Sequence, residues 1–398
     1  MKIIFVSTVC ARVDYEDICS KRKMKMLDSS QKFFEMFLNG LQLQESVEVD
    51  CVSIRPISSS TYPDKYIKKA IRKDRHITYH YVPILNFPVI KSIFAYFSVS
   101  KTINKIIKTS VDEDIKIVCD PLLLEGLIPS IKIGKGNNIE TTGFLTDMPN
   151  FANECDEHSK LKSMLYSVYN NKSDKYLHKL DKYIVLTEAM RCVANENPCL
   201  LIDCIVDEKM LKGLFPKAPK DGKPHILYAG KLHKEFGMDI LGEAIKQVKS
   251  DCVFDLYGDG NYMNELKAIA NERKNLCIHG IAPLQKVLQA ELSSTILINP
   301  RTSQGEFTKY SFPSKTAEYM LSGVPVIMFK LPGISDEYDK YVSFVKNENP
   351  DGLAEEIDKV LQLNYKERKK IGSQARKFIL ENKNCVKIAK DILLFLRK

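Results

Sequence analysis

The densest run of residues suited to chemistry lies at 299–326, NPRTSQGEFTKYSFPSKTAEYMLSGVPV. An apolar run ends at Asn299, and the polar loop that follows is longer than a usual strand-to-helix connection. Pro313 suits the first turn of a helix. The backbone N–H groups of Ser314, Lys315 and Thr316 are then expected to stand free at a helix N-terminus, where unpaired donors and the macrodipole favour a phosphate. Glu318, one turn further on, offers a carboxylate to ribose hydroxyls. This is the chemistry of a nucleotide site, although a helix cap by Ser314 accounts for the same residues. Arg301, just past the strand, is a candidate for stabilising charge on a leaving diphosphate; it reads equally as a solvated loop arginine.

Three earlier strand-end loops have related features. In YAGKLHKEFG (228–237), Gly230 lets a ligand approach the backbone and Lys231 sets a positive charge beside it, just ahead of a helix. A diphosphate cradle and an ordinary turn both fit. In LYGDG (256–260), Gly258 suggests close backbone approach and Gly260 a tight turn. In CIHGIAP (277–283), the loop at Gly280 and Ile281 exposes backbone groups able to read the edge of a base, and His279 reads as a packed strand residue.

The elements that must position these loops alternate along the whole chain. Short β-branched runs such as Ile3–Ser7, Ile115–Cys119, Val253–Tyr257 and Ile296–Asn299 are separated by helical patterns such as Ser29–Leu41. That rhythm predicts parallel sheets covered on both faces. The Lys-, Pro- and Gly-rich stretch 207–224 lacks a period and reads as a linker. The expected architecture is therefore α/β, with two doubly wound Rossmann-like domains: residues 1–206, then 225–375 after the linker. A C-terminal helix over 376–398 is expected to pack back on the first domain. Ligands of such sheets bind at the carboxyl ends of the strands, which here implies the cleft between domains.

With 398 residues, 44% hydrophobic and 27% charged, the chain has material for sizeable cores, which excludes disordered and collagen-like classes. A net charge of +9 favours anionic ligands without implying nucleic acid, and no nucleic-acid partner is expected. No apolar run is long enough to span a membrane. Eleven cysteines without a C-x-x-C pair, and no signal peptide, imply a reduced, cytoplasmic setting.

Taken together, the four loops resemble family 4 retaining glycosyltransferases of the two-lobed GT-B fold, and in particular those that build bacterial surface polysaccharides. The family pattern of Phe-Pro-Ser-Lys followed by Gly-x-Pro-Val stands here as Phe312–Lys315 and Gly323–Val326. The resemblance implies transfer of a sugar from a nucleotide diphosphate sugar, with a UDP or GDP sugar as donor substrate, no other cofactor and no metal. It places Glu318 on the ribose, Lys231 on the donor diphosphate and the N–H groups of Ser314 to Thr316 on the phosphates. The leaving diphosphate would take the acceptor proton on the same face of the sugar, with Lys231 and Arg301 stabilising its charge. Two positions depart from the pattern. Tyr310 stands where a first Glu is usual, leaving that contact to Glu306 or Arg301. Phe236 stands where a second basic residue is usual, with Lys234 as a substitute. A catalytically silent or glycan-binding relative, and a nucleotide-sugar epimerase, are the alternatives.

In the first domain, Asp147 in Thr-Asp-Met-Pro is the candidate for orienting the acceptor hydroxyl, with Asp120 second; either also reads as a turn-forming Asp before Pro. Asp112-Glu-Asp114 is formally a D-x-D metal pattern, but it precedes a strand and reads as a loop. The basic segment Lys65–Arg75 is expected to be helical, with Lys65, Lys68, Lys69 and Arg72 on one face. Downstream, Ile90, Ile93, Phe94 and Phe97 form an apolar helical stripe. Together these suggest peripheral contact with the inner face of a membrane carrying a glycan or lipid-linked acceptor; a solvated basic face and a core helix explain them as well.

Overall fold

The computed structural model describes the chain apart from residues 24–28, 89, 111–112 and 150–159, and apart from the side chains of 29 and 160–167. Asp112 of the D-x-D pattern lies outside the described residues. The chain forms two compact units: Met1–Ile205 with Cys385–Lys398, and Val206–Asn384.

Unit 1 contains β1 (Lys2–Ser7), α1 (Arg12–Lys21), α2 (Ser29–Leu41), β2 (Glu48–Ser53), β3 (Tyr66–Ile67), β4 (Ala70–Asp74), β5 (Ile77–Tyr81) and β6 (Ile84–Leu85). It continues with α3 (Ile90–Thr109), β7 (Ile115–Cys119), α4 (Leu124–Asn137), β8 (Thr141–Phe144), α5 (Lys160–Leu177), β9 (Lys182–Val185) and β10 (Cys199–Leu201). Its main sheet runs β10-β9-β8-β7-β1-β2-β5-β4 and is parallel except at β4, which pairs antiparallel with β5. The β-branched runs that read as continuous apolar segments are buried on both faces, as a covered parallel sheet requires. The helix α2 is held on the sheet by edge-to-face rings, with Phe5 at 5.2 Å from Phe34 and Phe37 at 5.4 Å from Phe144.

The segment Lys65–Arg75 is not a helix. Antiparallel pairing of Ala70 with Tyr81 through Asp74 with Ile77 makes β4 one arm of a hairpin, turning at Arg75 with φ of 52°. Tertiary pairing with β5 overrides the local pattern, and the cations line the outer edge of the sheet. Arg72 forks onto Asp14 with contacts of 2.5 and 2.7 Å. Charged residues on an edge strand, here Arg72, Lys73 and Asp74, resist its pairing with other chains.

Unit 2 comprises β11 (His225–Ala229), α6 (Met238–Gln247), β12 (Val253–Tyr257), α7 (Met263–Glu272), β13 (Leu276–Gly280), α8 (Leu284–Ser293) and β14 (Ile296–Asn299). It is completed by α9 (Ser314–Ser322), β15 (Val326–Phe329), β16 (Ser343–Val345), α10 (Pro350–Gln362) and α11 (Tyr365–Asn382). The all-parallel sheet runs β13-β12-β11-β14-β15-β16, and Ile245, Phe254, Leu266, Ile298, Phe329, Leu353 and Ile357 fill one of its faces. The direction of strand addition reverses between β11 and β14. In doubly wound sheets, such a reversal is where loops leave toward opposite faces and a ligand crevice is expected at the strand ends.

The stretch expected as a free linker is tied into unit 2. Val206 N–H donates to the Lys383 carbonyl at 2.9 Å, and Arg376 pairs with Glu208 at 2.8 Å. The boundary expected at 376 falls inside α11, which is nucleated by a capping box of Asn364 and Glu367. The last helix, α12 (Cys385–Arg397), belongs to unit 1 and packs on α2. Ile388, Ile392, Leu393 and Leu396 are buried there. Ile392→Ala should therefore cost about 2–4 kcal/mol by removing a buried branched side chain. Chemical denaturation monitored by hydrogen exchange should show the loss in unit 1 and spare α11.

Candidate active site

The sequence-predicted residues of unit 2 gather at the carboxyl ends of its strands. Gly230 follows β11 and donates its N–H to the Tyr257 carbonyl at 2.9 Å; Gly258 follows β12 and donates to the Gly280 carbonyl at 2.9 Å. Gly258 sits at φ of 141°, and a Cβ there would collide with the Gly230 carbonyl, so only glycine lets these backbones approach. Gly280 ends β13, beside Ile281, whose apolar side chain is 43% exposed. The three glycines thus form one row from β11 to β13. Lys231 stands at its β11 end, exposed and without an ion pair among the described residues.

On the other side of the reversal point, β14 delivers Arg301. Its Nη1 donates to Ser311 Oγ at 3.3 Å, and its guanidinium carbon lies 5.3 Å from the Phe236 ring centre and 4.8 Å from that of Phe307. The turn ending at Gly237 presses on the Pro300 carbonyl so closely that a Cβ would collide with it, which joins the β11 and β14 loops. The guanidinium charge reaches Tyr228 on β11. Burial pushes that hydroxyl's pKa up, while Arg301 pulls it the other way.

The third wall is the start of α9. Ser314 caps nothing through its side chain. The Thr316 N–H is already engaged by the Pro313 carbonyl at 2.8 Å, which corrects the expectation of three free donors. The tight first turn at Pro313 causes this and leaves the N–H groups of Ser314 and Lys315. Thr316 is fully buried, and its hydroxyl accepts from Asn299 Nδ2 at 3.3 Å, anchoring α9 to β14. Tyr319 does the same toward β11: its hydroxyl accepts from Ala229 N–H at 2.8 Å.

Glu318 is 5% exposed and paired with Lys315, which also contacts Glu291 at 3.0 Å. Glu291, on α8, is 1% exposed, and its second oxygen has no hydrogen-bond partner among the described residues. One lysine therefore holds two buried carboxylates. Glu291 and Phe307 were not found from sequence. Each lies on an element whose local pattern carries no chemical signal, and only tertiary packing brings it to the site.

Glu306 pairs with Lys309 at 2.8 Å on the exposed loop, and the Lys309 ammonium lies 4.9 Å from the Tyr310 ring centre. Neither points to a sugar contact. Lys234 is exposed, its N–H donating to Asn261 at 3.1 Å. In unit 1, Asp147 is half-buried and accepts from the Met148 N–H at 2.9 Å. Asp120 is 3% exposed, and burial pushes its pKa up to about 7 against a hydrogen bond from Leu122. A group this enclosed is poorly placed to meet an acceptor, so Asp147 is the better candidate of the two.

His279 lies on β13 as expected but is exposed and not packed in a core; its ring is held by Asp255 at 2.6 Å, which also pairs with His225 at 2.5 Å, and by stacking with Tyr257 at 4.3 Å.

Residues 213–378 match the family model described as glycosyl transferases group 1. The chain thus carries a glycosyltransferase group 1 domain over less than half of its length, and its two parallel-sheet units have the GT-B fold. Over its whole length the fold is similar to that of sucrose-phosphate synthase from Thermosynechococcus elongatus, with a TM-score of 0.69, 16% identity, and coverage of 100% of this chain and 98% of that one. It is also similar to the UDP-forming α,α-trehalose-phosphate synthase of Burkholderia xenovorans, with a TM-score of 0.66, 10% identity and full coverage of both chains. The HepE protein of Anabaena, solved in complex with UDP, gives a TM-score of 0.63 and 13% identity, again with both chains fully covered. No curated protein matches the chain. Among the described residues, no helix is long and apolar enough to cross a membrane.

The His225–Asp255 pair makes stability depend on pH. Burial disfavours charged His225, but its hydrogen bonds to the Asp255 and Asp221 carboxylates outweigh it, so its pKa rises above 6.5; burial raises Asp255, but His279 and His225 outweigh it, so its pKa falls below 3.8. The His225 contribution is full below 6.5 and lost as pH rises through its raised pKa; that of Asp255 is full above 3.8 and lost as pH falls through its lowered pKa. Thermal melts of wild type and His225→Ala should differ most between about pH 4 and 6.5 and converge by about pH 9. A constant difference across that range would show that packing alone is lost.

Proposed function

We propose that the chain transfers a sugar, with retention of configuration, from a UDP or GDP sugar to a glycan or lipid-linked hydroxyl acceptor in the building of a surface polysaccharide. The observation that carries this reading is the set of positive groups at the β11–β14 reversal. Lys231 and Arg301 stand at the ends of its two strands, and the Ser314 and Lys315 N–H groups at the α9 start have no backbone partner among the described residues and can meet an anion. The row Gly230, Gly258, Gly280 and Ile281 gives a nucleotide a backbone floor and an apolar surface for its base. Glu318 would exchange Lys315 for ribose hydroxyls, with Glu291 keeping the lysine in place. The solution of HepE with UDP and with UDP-glucose supports this choice of donor class.

In the reaction, the bond from the anomeric carbon to the diphosphate oxygen breaks as the acceptor oxygen bonds on the same face. The acceptor proton passes to the departing diphosphate. Lys231, Arg301 and the α9 N-terminus stabilise the growing charge, so the chain's own cations meet the diphosphate without a metal. Asp147 would orient the acceptor hydroxyl.

The acceptor reading includes peripheral contact with the inner face of a membrane. Ile90, Ile93 and Phe97 are exposed along α3, and Lys65, Lys68, Lys69 and Lys73 of the same unit are exposed without an ion pair among the described residues. Exposed apolar residues and unpaired cations are the features that an anionic bilayer would meet.

Thermal shift with UDP, GDP, ADP and CMP should show one clear responder, since a ligand at 100 times its Kd contributes about 2.7 kcal/mol. Lys231→Ala should weaken that responder about tenfold while the unliganded melting temperature stays near wild type; Glu318→Gln should weaken it similarly and also lower the unliganded melting temperature, because it breaks a buried pair with Lys315. Binding without turnover of any sugar conjugate would favour the catalytically silent relative. No binding in a folded sample would overturn the reading.

A further inference from the structure

Arg301 belongs to a loop, and a loop arginine is ordinarily free to swing into solvent. Here two aromatic rings from separate segments face it. Phe236 comes from the turn after β11, Phe307 from the 3-10 turn Glu306–Tyr310, and their ring centres lie 5.3 and 4.8 Å from the guanidinium carbon. Both rings are half-buried. The guanidinium also donates to Ser311 Oγ, three residues ahead of the α9 N-terminus. Its backbone is fixed independently, because Arg301 N–H donates to Asn299 Oδ1 at 3.4 Å and Gly237 packs on Pro300. Rings on a flat cation restrict its rotation while leaving its N–H edge able to donate, which suits recognition of a phosphate. The Arg301 charge is felt at Tyr228, whose hydroxyl donates to the Lys231 carbonyl at 3.0 Å, so the held cation and the exposed lysine border the same strand-end crevice.

We propose that Phe236 and Phe307 are positioning residues that clamp Arg301 as the second cation on the donor diphosphate. The inference rests on the donor-site reading above and goes beyond it. At the position where the resembling pattern carries a basic residue, this chain carries one of the rings that hold a charge supplied from the opposite loop. The substitution at Phe236 thus moves the charge from the β11 loop to the β14 loop and does not remove it.

The test is the affinity of UDP and GDP, compared with uridine and guanosine, measured by calorimetry and ligand-observed NMR on the full chain. Arg301→Ala should weaken the diphosphate that wild type binds about 10- to 100-fold and leave the matching nucleoside unchanged. Phe236→Leu and Phe307→Leu should each weaken the diphosphate about two- to tenfold, again sparing the nucleoside, while Phe236→Tyr keeps wild-type affinity. In the Arg301→Ala background, Phe236→Lys should restore most of the lost affinity by returning a cation from the other loop. Nucleoside binding serves as the folding control for every variant. Wild-type diphosphate affinity in Arg301→Ala, equal losses of nucleoside and diphosphate in the ring variants, or no rescue by Phe236→Lys would overturn the clamp and leave the donor site standing. Failure of wild type to bind either diphosphate would overturn the donor reading and the clamp with it.

Discussion

The contact between the Gly258 and Gly230 backbones sets the level of everything around the crevice. Because no Cβ intervenes, the β11 and β12 ends close on each other, and Leu232 N–H can donate to the Asp259 carbonyl at 2.9 Å. That bond buries Leu232 under the loop and leaves its neighbour Lys231 outside. A side chain at 258 would lift the first loop, expose Leu232 and move the turn that carries Phe236. The chain thus uses a backbone constraint, not a side-chain network, to hold the floor of the site.

Charge at the site is arranged in two tiers. The lower tier is buried and held by one cation: Glu291 and Glu318 share Lys315, and Thr316 and Tyr319 tie α9 to β14 and β11. Buried carboxylates are costly unless paired, so this tier fixes where α9 begins. The upper tier carries the cations and donors: exposed Lys231, the Arg301 guanidinium, and the Ser314 and Lys315 N–H groups. Positive groups held above a paired base suit a reaction whose main demand is to accept charge on a leaving group without reorganisation.

In unit 1, the stability of the first sheet depends on the last residues of the chain. The ring cluster Phe5, Phe34, Phe37 and Phe144 holds α2 on the sheet, and α12 covers the outer side of α2. The chain therefore crosses between the units twice, at Ile205 and at Asn384, and the bridge from Val206 to Asn384 brings the two crossings side by side.

The sequence by itself determined the strands, because a strand buried on both faces needs a short, mostly apolar run rich in β-branched or aromatic residues. Ile115–Cys119, Val253–Tyr257 and Ile296–Asn299 appear where those runs stand. It determined α2 over Ser29–Leu41 by helical period, and it determined the strand-end glycines and the Pro313 helix start by residue types that few other backbones accept. Only the tertiary structure decided the rest. Lys65–Arg75 has too few apolar residues for either period to be legible, and pairing with β5 made it an edge strand. The length of α11 depended on the capping box at Asn364. Arg301 and Lys315 each have one distant partner, Phe236 and Glu291, which lie 65 and 24 residues away in the chain. Long-range contacts of that kind leave no local period, since a ring or a carboxylate is equally acceptable to its own helix or turn wherever its neighbour lies.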